Sequence, residues 1–220
     1  MPIDSALRVP YNIPGSNQWQ WISIGQRMTQ ERILFLNQPL TTSLANSLIS
    51  SILYLDSEDQ SKPIYLYINS LGDPVLAGRI YETAGMMSIK SCLAIYDTMQ
   101  YIKSEIVTIC FGQAVGMAAL ILSSGAKGKR VSLPHASIAL TQFQVAAQGQ
   151  ATDIQVNAEE VLRKRAIILD IFSQNTGQPA DKITKDSERI FYMTPLEAKE
   201  YGLIDRVLEN SKQLQNSIVA

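Results

Sequence analysis

A mixed α/β fold built on a largely parallel sheet is what this sequence predicts, and three observations predict it. β-prone runs alternate with helical stretches along the chain, as connected parallel strands require. The run PIYLYINS, Pro63 to Ser70, is almost continuously β-prone, as expected of a strand covered on both faces. With 220 residues and a 46% hydrophobic composition, the chain can bury one sizeable core, so a single main domain over 31–220 is the economical reading.

The elements follow in order. Residues 1–30 hold Pro2, Pro10, Pro14, Gly15 and Gly25 without a sustained apolar period, which predicts an irregular arm. RILFLNQPL (32–40) reads as a strand closed by Pro39, and Leu44, Leu48, Ile52 and Leu55 then recur at helical spacing. EIVTICFGQ (105–113) repeats the strand pattern before a buried helix over 117–122. RVSLPHASIALTQF supplies two short strands broken at Pro134. Thr152 and Gln155 have capping-box spacing at the head of a long helix carrying Val161, Leu162, Ile168, Ile171 and Phe172, which Gly177 and Pro179 stop. A short helix from Thr194 to Gly202 and a last strand finish the chain.

Composition narrows the function classes. With 19 basic and 20 acidic residues and no long like-sign run, nothing draws the chain to nucleic acid or anionic lipid. The most apolar run, Ile106 to Leu122, falls short of the roughly 20 residues of a spanning helix. Cys92 and Cys110 lack metal-site or redox spacing and read as buried small hydrophobes, so no metal and no cofactor are expected. The first residues show no basic segment followed by an apolar one, which favours a cytoplasmic protein.

The stretch GQAVGMAAL, Gly112 to Leu120, has the small residues and apolar helix start of a serine-hydrolase turn. Such a hydrolase needs a hydroxyl, an imidazole, an orienting carboxylate and donors for the oxyanion. The middle residue of the G-x-S-x-G spacing is Ala114, and the single histidine is His135, beside Pro134. A relocated pair of His135 with Ser132 or Ser137 is one way to keep a peptidase. Alternating strand positions do not aim those side chains at one another.

The ordered motifs YLYINS, IYDTMQYIK, GQAVGMAA, AKGKR, LPH, GQATDI, NTGQP and EAKEYGLID resemble the ClpP family, the proteolytic subunits of the Clp protease, over about 33–208. The resemblance implies a ClpP/crotonase-like spiral of β-β-α units, with a head and a protruding handle at about 141–177. Where the family reads GQAASM, the nucleophile's place falls on Gly116. Where it reads LPHSRIMIHQP, the catalytic histidine's place falls on Thr141, and the acid is matched to Asp186 in KDSER. The family's NSPGG becomes NSLGD, which puts Asp73 at one oxyanion amide and leaves Met117 at the other. HQPLGGFQGQ becomes TQFQVAAQGQ, so the peptide-binding strand is altered at Phe143, Val145 and Ala146. Residues 79–94 stand as an insertion, either a tolerated surface segment or a plug near the site.

These departures resemble the noncatalytic, ClpR-type branch of the family. That resemblance implies a chain that is not itself an enzyme, working in a mixed seven-membered ring with an active ClpP paralogue. A second ring would stack through handle contacts, and an AAA+ unfoldase of ClpC or ClpX type would dock on the ring. Tyr65, Tyr67 and Tyr101 match unfoldase-docking positions, with ordinary aromatic packing as the other reading. A crotonase-like acyl-CoA enzyme and a free regulator of the unfoldase are the remaining alternatives.

Overall fold

The computed structural model describes residues 7–12, 15, 18–73, 84–142, 145 and 150–209. Its strands are β1 (Arg8–Asn12), β2 (Trp19–Ser23), β3 (Ile33–Leu36), β4 (Ile64–Ser70), β5 (Ile106–Val115), β6 (Arg130–Ser132), β7 (Ser137–Leu140), β8 (Phe191–Met193) and β9 (Arg206–Val207). Its helices are α1 (Ile24–Gln30), α2 (Thr42–Glu58), α3 (Ala84–Tyr101), α4 (Met117–Ser123), α5 (Ala151–Thr176), α6 (Ala180–Ser187) and α7 (Pro195–Tyr201).

Seven strands form one sheet along the path β3-β4-β5-β6-β9, with β7 branching from β5 and β8 from β7. Every pairing in it is parallel except β7 with β8. The ten-residue β5 serves two neighbours in succession. Its first half pairs β6 at Thr108↔Arg130, and its second half pairs β7 at Gln113↔Ser137. The end of β5 is thereby held between β4 and β7.

Side-chain alternation decides the layers. In β4, Ile64, Leu66 and Ile68 are fully buried against the helices, while Tyr65 and Tyr67 are half-buried on the other face. The expected full cover on both faces is therefore reached on one face only. Ala45, Leu48, Ile52 and Leu55 form the buried stripe of α2, each side chain contributing on the order of 1–3 kcal/mol by leaving water. All seven residues of α4 are buried, which is why its sequence is apolar all round.

Three expectations are corrected here. The arm over 1–30 is not irregular where it is described: β1 and β2 pair as an antiparallel hairpin, and Ser23 and Gln26 cap α1 reciprocally. Residues 79–83 lie outside the described residues, but 84–94 are the first half of α3 and no surface insertion. Ile89, Cys92 and Leu93 are buried, and the Cys92 thiol donates to the Met117 carbonyl at 3.4 Å. The capping box at Thr152 and Gln155 does not form, because α5 already begins at Ala151 after Gln150 and so places Thr152 within the first turn. Gly177 ends that helix in the left-handed conformation, as expected. Of the helix's 26 residues only Ile168, Ile171 and Phe172 are buried, so its first half projects as a handle.

Two buried arginines fasten the strand starts. Arg32, at φ 61, donates to the carbonyls of Leu55 at 2.8 Å, Lys62 at 3.0 Å and Pro63 at 3.0 Å, and to the Ser104 hydroxyl at 3.1 Å. Arg130 makes a forked pair with Asp205, at 3.0 and 2.6 Å, and donates further to the Ser123 and Asn175 carbonyls.

Candidate functional site

The carboxyl ends of β4, β5 and β7 meet at one place, where ligands of open α/β sheets bind. β5 ends at Val115, the chain reverses at Gly116, and α4 starts at Met117. Gly116 sits at φ 56, ψ −113, a conformation that an L-residue reaches only with strain. The sharp strand-to-helix turn of a nucleophile elbow is thus built at Gly116 and not at Ala114, which is buried within β5. The Gly116 amide donates to the Ala139 carbonyl of β7 at 2.9 Å, so the turn is tied to the neighbouring strand.

Thr141 lies directly after β7 and faces this turn. A β-carbon placed on Gly116 would come 2.9 Å from the Thr141 methyl carbon. The two positions that the resemblance matched to nucleophile and base are therefore adjacent in space, occupied by a hydrogen atom and a methyl group. The Thr141 hydroxyl is engaged with the Gln142 carbonyl at 3.3 Å. Asp186, on α6, instead accepts a hydrogen bond from the Tyr201 hydroxyl at 2.9 Å. Burial, and then that bond, push the Tyr201 phenol well above its usual range. Asp186 thus sits near the site without orienting anything in it.

The oxyanion side rests on a glycine that sequence reasoning passed over. Gly72, at φ +72, packs so closely on the elbow that a β-carbon there would lie 2.4 Å from the Val115 carbonyl oxygen and 3.1 Å from the Met117 amide nitrogen. The Asp73 amide donates to the Leu71 carbonyl at 2.9 Å, closing a tight turn around Gly72. Asp73 is 5% exposed, and its N–H is spent inside the turn rather than offered beside Met117. Met117 opens α4, whose first-turn amides have no partner within the helix, so it keeps a donor at the elbow. The glycine in NSLGD was the available signal, since a turn hard against a helix start admits little else.

From the elbow a cleft runs along α5. Met117, Leu140, Thr141, Ile168, Phe172 and Ile183 are among its lining, and Arg165 is the one ionisable side chain among the described residues lining it. Val145, half-buried, packs against the main core, whereas Phe143 and Ala146 lie outside the described residues.

The other nucleophile candidates are placed elsewhere. The Ser132 hydroxyl is buried and donates to the Leu133 carbonyl at 3.1 Å, and His135 is exposed on the turn between β6 and β7. No hydrogen bond joins His135 to Ser132 or Ser137 among the described residues. Burial pushes the Cys92 thiol far up and the Cys110 thiol up to about 12, so neither is a thiolate near neutral pH. Among the described residues no group of three or more His, Cys, Asp or Glu could hold a metal ion, and no helix is long and apolar enough to cross a membrane.

The three tyrosines do not form one patch. Tyr67 stacks on Phe35 with ring centroids 5.6 Å apart and meets Phe111 edge-on at 5.9 Å, on the face of β4 it shares with Tyr65. Tyr101 ends α3, in the helical layer on the other side of the sheet, and is 82% exposed.

The model of the Clp protease family matches residues 15–211. The chain belongs to the Clp protease family. It is 48% identical over 214 residues, 97% of this chain and 100% of the relative, to the ATP-dependent Clp protease proteolytic subunit 2 of Prochlorococcus marinus (strain NATL2A). It is 47% identical, over the same shares, to the ATP-dependent Clp protease proteolytic subunit 3 of Parasynechococcus marenigrum (strain WH8102). The parallel sheet with its elbow and handle is accordingly the Clp protease fold. One expectation is overturned by these relatives. The chain was expected to stand apart from the enzymes, yet they are named as proteolytic subunits and the family is one of peptidases.

Proposed function

We propose that this chain is a ring-building subunit of an ATP-dependent Clp protease core, sharing a seven-membered ring with Clp paralogues that carry a serine and a histidine. The observation that carries the reading is the elbow. Its backbone is that of a nucleophile turn, and it brings together Gly116 and Thr141, the two residues that the motif resemblance matches to the family's serine and histidine. In such a ring the chain contributes wall, interface and docking surface to the peptidase of which it is part. The projecting half of α5, with Val156 and Leu162 more than half exposed, suits contact with the handles of a second ring. The half-buried face around Phe35, Tyr67 and Phe111 suits an apolar loop of an AAA+ unfoldase.

Native mass spectrometry of the tagged chain, coexpressed with a serine-bearing Clp paralogue from the same source, tests this. The expected species is a seven-membered ring holding both chains. A ring of this chain alone, or no ring at all, would overturn the proposal, and the second result would favour a free regulator of the unfoldase.

A further inference from the structure

We infer that the segment 210–220 folds back over the face of the sheet that bears Tyr65 and Tyr67, so that this face is covered by its own chain. The inference rests on the docking reading only for its regulatory meaning, since a cover on that face competes with an apolar loop for the same rings.

The argument starts from register. Phe35 lies opposite Tyr67, Tyr67 opposite Ile109, and Ile109 opposite Val131, so one row of side chains crosses β3, β4, β5 and β6 on a single face. A second row, Ile33, Tyr65 and Val107, runs beside it. The opposite face of β4 is sealed, with Ile64, Leu66 and Ile68 fully buried, whereas Phe35, Tyr65, Tyr67 and Phe111 are left half-buried. The rings of Phe35, Tyr67 and Phe111 all meet one another, which makes this a continuous apolar surface and not scattered exposure.

The chain leaves the sheet at the edge of that surface. Val131 pairs with Arg206 in β9, and the Leu208 amide donates to the Ser132 carbonyl at 2.9 Å, so the backbone still runs beside β6 at Leu208. The Leu208 side chain is buried in one cluster with Val107, Ile109 and Val131, against which Tyr65 and Tyr67 pack. The last described stretch is thereby turned to the tyrosine face, with only β6 and β5 between it and the rings of β4.

Reach and composition select the residues that follow. From β9 to β3 is four strand spacings, about 19 Å at about 4.8 Å each. The segment 210–220, NSKQLQNSIVA, spans up to about 36 Å when extended, so it crosses the whole row with chain to spare. Leu214, five residues beyond Glu209, reaches about 16 Å, enough for the roughly 14 Å to β4. The segment holds no acidic side chain and one cation, Lys212, so laying it on hydrocarbon desolvates little charge. Ile218 and Val219 supply further apolar side chains. A tethered segment also starts at an effective concentration of about millimolar, so a modest apolar contact holds it where a free peptide would leave.

Disulfide trapping in the full chain tests the contact. Leu214→Cys is combined with Tyr67→Cys, or with Tyr54→Cys as a control on the exposed side of α2, and each variant is oxidised with glutathione disulfide. The native Cys92 and Cys110 thiols are buried and pushed up, so they stay out of the exchange. The Tyr67→Cys pair is expected to close within the chain at least about tenfold faster than the control pair. Because Tyr67→Cys gives up a ring stack, a second measurement leaves the face native. A variant ending at Glu209 is expected to raise the fluorescence of anilinonaphthalene sulfonate at least about threefold over the full chain, as newly exposed apolar surface does. Equal trapping of the two pairs, disulfides formed only between chains, or an unchanged dye signal would each overturn the inference. Ring formation with the serine-bearing paralogue, followed by native mass spectrometry, is read separately. Trapping within the chain without a ring would sink the assembly proposal and leave this one standing, and a ring without trapping would do the reverse.

Discussion

Gly116→Ala is the substitution that most directly weighs the elbow. A side chain at φ 56, ψ −113 costs about 1–3 kcal/mol in backbone strain. The new β-carbon would also lie 2.9 Å from the Thr141 methyl carbon. Thr141 is short, branched and half-buried, so it must rotate or withdraw by a few tenths of an ångström, at about 1 kcal/mol. The expected total is about 2–4 kcal/mol, which for a domain of this size lowers Tm by roughly 4–16 °C. Urea unfolding at one fixed protomer concentration, with the midpoint and slope fitted together, compares parent and variant on the same footing. Thr141→Ala in the same background should return about 1 kcal/mol and leave the strain, so the double-mutant cycle separates the two contributions. A Gly116→Ala variant as stable as the parent, or a cycle with no coupling, would refute the geometry on which the site description rests.

Gly72→Ala should be worse than Gly116→Ala, because its β-carbon meets backbone atoms of Val115 and Ala118 that cannot move independently; a loss of about 4 kcal/mol or insoluble protein is expected. Gly128→Ala, at φ +81 with open space around it, should lose only about 1–2 kcal/mol, and a reversed order in urea unfolding would contradict the packing. Asp205→Asn should cost about 3–5 kcal/mol at pH 7 by leaving Arg130 buried without its partner. Burial alone would raise the Asp205 carboxyl, but hydrogen bonds from the Arg130 side chain and backbone outweigh it and hold the carboxyl below its usual range. Its contribution is therefore complete above about pH 4 and lost as the pH falls further, through the lowered folded value. The gap between parent and variant should narrow below about pH 4, and a gap constant down to pH 2 would argue against the linkage. Tyr201→Phe should cost about 1 kcal/mol for the lost bond to Asp186, with ring assembly unchanged if that pair serves only the packing of α6 on α7.

Much of the frame was legible from spacing. The stripe of Leu48, Ile52 and Leu55, the apolar run of β5 and the Thr194 to Gly202 helix all follow rules local to a few residues, and the fold obeys them. The hairpin was missed because Pro10 and Gly15 read as breakers, although Trp19 and Trp21 alternate with Gln20 and Ile22 as an edge strand would. The start of α3 was missed for a different reason. Motif matching set residues 79–94 aside as an insertion, while Ile89, Cys92, Leu93 and Tyr96 already had the period of a helix that runs on unbroken to Tyr101. In the site, the adjacency of Gly116 and Thr141 came from matched motifs and is realised in the packing. The turn around Gly72 and the bond from Tyr201 to Asp186 join residues whose relation no local pattern records.

The two buried arginines have a consequence for where this architecture tolerates change. Arg32 gathers the starts of β3, β4 and β5, and Arg130 with Asp205 gathers those of β6 and β9. Both stand at the amino ends of the strands, whereas Gly72, Gly116 and Thr141 stand at the carboxyl ends. A slip in strand order or register would have to break a guanidinium away from several carbonyls at once, so alignment is guaranteed from the far side of the molecule. A saturation survey would then find its least forgiving positions at residues remote from any ligand. The rim at the carboxyl ends, relieved of any duty to keep the strands in step, is where the scaffold is freest to exchange one side chain for another.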